Sequence, residues 1–127
     1  MPVNVTHMEP HIYRAEWHGA VHIEDVIVKM QELSAMASQN GDHTYVLLVD
    51  LTTVTKIPFD IQNLRKTADS DTRVGCYVIV QAPAVGQLLG RMLDKVSASS
   101  FVFANSLDEG IELAHEYLLE NREYFAN

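Results

Sequence analysis

Polar and apolar positions first alternate along this chain and then change period. In HIYRAEW (11–17), Tyr13, Ala15 and Trp17 fall on one face of an extended chain, which predicts a strand, and Gly19 just beyond is expected to break it. A weaker strand is expected at Val3–Met8, with Pro10 in the hairpin turn between the two, because a proline cannot donate to a central ladder. From Ile23 the spacing becomes three and four: Ile23, Val26, Ile27, Met30, Leu33 and Ala37. Glu24 and Asp25 in the first turn and Asn40-Gly41 behind complete an amphipathic helix, its dipole complemented in front and a glycine stop at its end.

YVLLVDL (45–51) is nearly continuous in apolar residues, as a strand covered on both faces is, and should be central. Thr52–Asp60 is expected to be a loop, after which Ile61, Leu64 and Ala68 predict a short second helix with Asp60 near its first turn. VGCYVIV (74–80) repeats the buried-strand pattern. Ala82-Pro83 then opens a third helix whose apolar stripe reads Val85, Leu88, Leu89, Met92 and Val96, closed by Ser97–Ser100. FVFA (101–104) predicts a last strand. Ser106-Leu107-Asp108-Glu109 is a capping box, and the final helix carries Leu107, Ile111, Ala114 and Leu118 on one face to about Tyr124. Strands separated by helices are parallel, so the fold class is α/β: one domain over 1–127, a mostly parallel sheet with an N-terminal antiparallel strand and four helices.

Charge narrows the function classes. Nine Lys and Arg against seventeen Asp and Glu give a net −8, which repels phosphate backbones and anionic lipid, so nucleic acid and membrane are not expected partners. The longest uncharged window, Val74 to Gly90, has seventeen residues and contains Gly75, Gln81, Pro83, Gly86 and Gln87, too short and too polar for a span of roughly 20. The start, MPVNVTHMEP, shows no export signal, and the single Cys76 cannot close an intramolecular disulfide; both fit a reducing cytoplasm.

The element order resembles the STAS fold, the family of the bacterial anti-sigma factor antagonists. VDLTTVTKIPFDIQNL (49–64) is similar to that family's D-L-S-G-V-x-x-I-D-S-S-G-L segment, with Asp50, Leu51, Thr52, Thr53, Val54 and Ile57 in matching places. WHGAVHIEDV (17–26) resembles its strand–glycine–helix entry, and VIVQAPAVGQLLGRM (78–92) with FVFANSLDEGIEL (101–113) its last two strand–helix units. The resemblance implies a SpoIIAA-like, non-enzymatic regulatory module that docks a protein partner or itself, needing no cofactor. In antagonists the second helix begins with a serine that a partner kinase phosphorylates, adding about −1.5 to −2 charge there. Here Phe59 stands at that place, with no hydroxyl. A shift of one residue would put Asp60 there, imitating the charged form, and Thr52, Thr53 and Thr55 lie close by.

The residues that would carry such docking are Asp50, Thr52, Thr53, Pro58, Phe59 and Asp60, because partners of an open parallel sheet meet the loops after its strands. Gln81–Pro83 and Asn105-Ser106 are further loops of that kind. Against this, an Asp at a helix start needs no function: the free amides stabilise it by roughly 0.3–1 kcal/mol. His7 with His11 and His18 with His22 are four apart, but outside any expected helix that spacing does not gather a metal site. Cys76 inside an apolar strand reads as a buried thiol of raised pKa. Gly86 and Gly90 suggest close packing of the third helix. Asp69, Asp71, Glu109, Glu112, Glu116, Glu120 and Glu123 read as solvated faces, and Tyr117, Tyr124 and Phe125 as either an oligomer contact or an end folded back on the domain. A homodimer stays open. The other class of function is a carrier of a small apolar ligand or lipid, related to phosphatidylinositol-transfer-type domains, with Met8, Met30, Met36 and Met92 as pocket liners between helices and sheet.

Overall fold

A computed structural model describes residues 2–121. Strand β1 (Val3–Glu9) turns at Pro10-His11 into β2 (Ile12–Ala20); then follow α1 (Ile23–Gln39), β3 (Tyr45–Lys56), α2 (Ile61–Ala68), β4 (Val74–Val80), α3 (Ala84–Val96), β5 (Ser100–Ala104) and α4 (Leu107–Glu120). The sheet order is β1-β2-β3-β4-β5, antiparallel only between β1 and β2, so the expected α/β architecture, with its central β3, holds.

Because the parallel strands follow one another in sequence order, α1, α2 and α3 all lie on one face. That face carries the larger core: Tyr13, Ala15 and Trp17 of β2 with Val26, Met30 and Leu33 of α1, Leu64 of α2, and Leu89 and Leu93 of α3. The other face packs Ile12, Val46, Leu48, Cys76, Val78 and Val80 under Ala114 of α4, which rests on β3, β4 and β5. Continuous apolar runs in β3 and β4 follow from cover on both faces, and β2 alternates as its sequence does. A monotonic strand order has no point where the winding reverses, so the crevice that usually gathers ligands in doubly wound sheets is absent among the described residues.

Three boundaries differ from the sequence expectation. Gly19 does not end β2: it sits inside the strand at φ +62°, where the register to β3 slips, so it supplies a bulge that an L side chain would strain. β3 continues through Thr52–Lys56 instead of becoming a loop, since His18, Gly19 and Ala20 offer it a ladder to Lys56. Ser100 belongs to β5 rather than to the end of α3. The stop of α1 is as expected: Gly41, at φ +71°, donates to the Ser38 carbonyl and Asp42 to that of Ala37, the paired bonds of a Schellman end. The end of the last helix about Tyr124, with Glu123 and Phe125, lies outside the described residues.

Candidate functional site

The six residues singled out at the end of β3 and the start of α2 divide into structural and exposed ones. Asp50 is buried and saturated. Its Oδ2 accepts from Arg14 Nη2 at 2.6 Å and Nε at 3.2 Å, and its Oδ1 from the Thr52 amide at 3.0 Å and the Thr52 hydroxyl at 2.5 Å. Burial alone would raise its pKa, but the bonds from Thr52 and Arg14 outweigh burial and hold it below the ordinary carboxylate value. Asp50 therefore locks β2 to β3, so of the expected docking set it is the member that is buried and has a structural role. Thr52 and Thr53 are exposed, but on a strand; the Thr53 hydroxyl lies 2.7 Å from His18 Nδ1.

Asp60 is the N-cap of α2: Oδ1 accepts from the Asn63 amide at 3.2 Å and Oδ2 from the Asn63 side chain at 2.7 Å. The structural role set against docking for this residue is the one it has. Pro58 is half-buried. Phe59 is different, with 62% of its surface open to solvent directly before the cap.

Helix α3 holds the residues that sequence reasoning placed wrongly. Its sheet-facing side is Gly86, Leu89, Gly90 and Leu93. A β-carbon at Gly90 would come within 2.6 Å of the Phe103 ring, and one at Gly86 within 3.1 Å of Ile57, so the two glycines do allow the expected close packing. Of the expected stripe only Leu89 is buried; Val85, Leu88, Met92 and Val96 are 40%, 49%, 37% and 44% exposed. The signal that would have found this is the Gly-x-x-x-Gly spacing itself, because small residues mark the side of closest approach and push longer side chains to the flank.

Elsewhere, Gln81, Ala82, Gln87, Phe103, Ala104 and Asn105 bring two of the expected loops together round an open polar cleft of about 430 Å³, apart from Phe59. Under α1, α2 and α3 lies an apolar cavity of about 90 Å³, walled by residues such as Ala15, Trp17, Met30, Leu47, Ala68 and Tyr77. Of the four methionines proposed as liners only Met30 reaches it; Met8 packs on the opposite core.

The histidines have separate neighbours. His7 stacks on Tyr13, His11 Nδ1 lies 3.0 Å from the Thr44 carbonyl and 3.3 Å from Asp42, and His22 caps α1. His115 of α4 pairs with Glu9 of β1. Among the described residues no group of three or more His, Cys, Asp or Glu is placed to hold a metal ion. Burial pushes the Cys76 thiol up to about 12. Tyr117 is half-buried against the core under α4, and its hydroxyl fills the space beside Gly75, so this part of the aromatic end is folded onto the domain.

Asp71 is not the solvated carboxylate its sequence context implied. It is 7% exposed and accepts from the Tyr45 hydroxyl at 2.8 Å and from Arg73 Nε and Nη2 at 2.9 and 2.7 Å, while Arg73 reaches on to Ser34 and Ser38 of α1. Burial opposes its charge, but these bonds prevail and hold its pKa at about 2. Beside it, burial and then the 2.5 Å bond to Asp42 push the Tyr13 hydroxyl up to about 12. This network clamps α1 to the amino ends of β3 and β4, the end of the sheet opposite Phe59.

No family model matches the chain, and no curated protein matches its sequence. A solved structure that is similar is an uncharacterized protein of the DUF3478 family with a SpoIIAA-like fold, from Shewanella loihica PV-4. The two share 13% identity with a TM-score of 0.65, over 88% of this chain and 91% of that one. This chain has a SpoIIAA-like fold. The expectation of a SpoIIAA-like architecture is thereby met. On this SpoIIAA-like frame Phe59 is exposed beyond the carboxyl end of β3, and the exposed apolar flank of α3 starts at Val85 just after β4 and runs back along the sheet to Val96. Among the described residues no helix is long and apolar enough to cross a membrane.

Proposed function

We propose that this chain is a non-enzymatic regulatory protein-interaction module of the cytoplasm, resembling anti-sigma factor antagonists but without a phosphorylatable serine at the start of α2. The observation that carries the reading is the exposed apolar flank formed by Val85, Leu88, Met92 and Val96 of α3, with Phe59 at the head of α2. Ile57, two residues before Phe59, packs on Gly86, next to Val85, so the first turn of α3 stands near the start of α2, and the stripe runs from there toward the amino end of the sheet. Contiguous exposed apolar side chains on a soluble domain mark interaction surfaces. Asp60 fixes the position of Phe59 by capping the helix that follows. Capture of partners from the native host by tagged wild type, compared with a Phe59→Ala, Leu88→Asp variant, tests this reading; a folded variant that retains the same partner rejects it.

A second reading, the apolar-ligand carrier, is supported by the cavity of about 90 Å³. Such a space is smaller than an engineered apolar cavity of about 150 Å³ that binds benzene, so its occupant would be a compact apolar molecule and not the acyl chains of a phospholipid. Native mass spectrometry with solvent extraction of protein from its host decides: a stoichiometric small apolar mass supports the carrier, and a bare chain mass removes it.

A further inference from the structure

The charge round the α3 flank opposes that of the whole molecule. Lys56, Arg65, Lys66, Arg91 and Lys95 are exposed on the end of β3, on α2 and on α3, against Asp60, Asp69 and Asp94 in the same stretch, whereas the chain carries nine cations against seventeen carboxylates. The three carboxylates are all engaged: Asp60 caps α2, Asp69 accepts from the Ser97 hydroxyl at 2.6 Å, and Asp94 from the Phe101 amide at 2.9 Å. Arg65 lies 3.9 Å from Asp69, and Lys66, Arg91 and Lys95 have no ion-pair partner among the described residues.

Geometry sets these cations beside the apolar stripe. At 3.6 residues per turn, Val85, Leu88, Met92 and Val96 lie roughly 100° round α3 from its buried side. For the right-handed crossovers that βαβ units adopt, that flank faces α2. The same construction turns Arg65 of α2 toward α3, and puts Arg91 and Lys95 on the solvent side of the stripe. This construction outlines a groove with an apolar wall, Phe59 near the amino end of α3 and exposed cations on its rim.

We propose that this groove takes an acidic amphipathic helix of a partner protein. The proposal rests on the docking reading above and adds the chemistry of the partner: leucine-like side chains against the stripe and carboxylates against Arg65, Lys66, Arg91 and Lys95. A basic partner would meet free cations at close range. A flat anionic bilayer would be met by a molecule of net −8.

The test uses two synthetic, fluorescently labelled helical peptides of about 20 residues. Both carry one leucine stripe, with glutamate on the other positions of the first and lysine on those of its twin. Polarisation titration should show the acidic peptide binding at least about tenfold tighter than the twin, with the advantage shrinking as salt rises. Arg65→Glu, Lys66→Glu, Arg91→Glu and Lys95→Glu together should invert that preference, and Leu88→Asp should abolish binding of both. A twin that binds as well as the acidic peptide, or the absence of binding by either, overturns the proposal. So does uptake by phosphatidylserine vesicles, or self-association in sedimentation, that depends on the same four cations. Loss of the acidic preference while host capture stays sensitive to Leu88→Asp would remove only the acidic class, whereas capture that is indifferent to Leu88→Asp would remove docking itself.

Discussion

The ring of Phe103 occupies the space that a side chain at Gly90 would need, and this contact sets how closely α3 lies on β5. A β-carbon there would stand 2.6 Å from Phe103 Cζ and 2.9 Å from Cε1. Gly90→Ala gains roughly 1 kcal/mol of helix propensity, yet overpacking typically costs about 1–3 kcal/mol. We expect net destabilisation of about 1 kcal/mol by urea unfolding, reversed when Phe103→Leu is added. A stabilised Gly90→Ala single variant would show that α3 does not rest on Phe103.

Phe59 and Asp60 are neighbours with opposite predicted phenotypes. With 62% of its surface exposed, Phe59 replaced by Ser should shift stability by no more than about 0.5 kcal/mol. Asp60→Ala removes the acceptor for the Asn63 amide and should cost about 1 kcal/mol. Thermal unfolding of the two variants separates docking from capping; equal losses would place Phe59 in the core of the fold.

Asp71 should make the protein acid-sensitive. Its pKa is held at about 2 against an ordinary 3.8, so its charged form is the one folding favours. Its contribution is complete above about pH 4 and is lost as the pH falls toward 2, a difference of about 2 kcal/mol. Asp50, also held below its ordinary value, acts in the same direction. Urea midpoints from pH 6 to pH 2 for wild type and Asp71→Asn should therefore converge as the pH falls. Parallel curves would mean that the Tyr45–Asp71–Arg73 cluster does not govern acid stability.

What could be read from the sequence depended on whether a side chain's surroundings are local. The period of Ile23, Val26, Met30, Leu33 and Ala37 announces α1, and YVLLVDL announces a doubly covered β3, because each segment senses only the face it buries. The stripe of α3 misled because two apolar sets share that helix, and only the sheet, through Phe103 and Ile57, selects the one with the glycines. Asp50 reads as a docking residue and Asp71 as a solvated carboxylate, because the fold alone brings Arg14 and Tyr45 to them from 36 and 26 residues away. The cations of α2 and α3 are dispersed in sequence and converge only once the crossovers lay the two helices side by side.

Filling the cavity beneath the helices provides the last prediction and bears on the carrier reading. Ala15 is 3% exposed on β2 and forms part of the cavity wall, so Ala15→Val would place two methyl groups into empty space on a strand that suits β-branched residues. At about 24 cal/mol per Å³, a void of 90 Å³ forgoes roughly 2 kcal/mol, and partial filling should recover about 1 kcal/mol. Urea unfolding of ligand-stripped protein should show that gain. Xenon, a probe small enough for this space, should raise the melting temperature of wild type and lose its effect in the variant. Destabilisation by Ala15→Val, with the xenon response unchanged, would mean that the wall at Ala15 is already closed. Where protein from its host does carry a small apolar mass, the same substitution should expel it while leaving capture through Phe59 and Leu88 untouched, because Ala15 lines the cavity beneath the helices whereas Phe59 and Leu88 are exposed and do not line it.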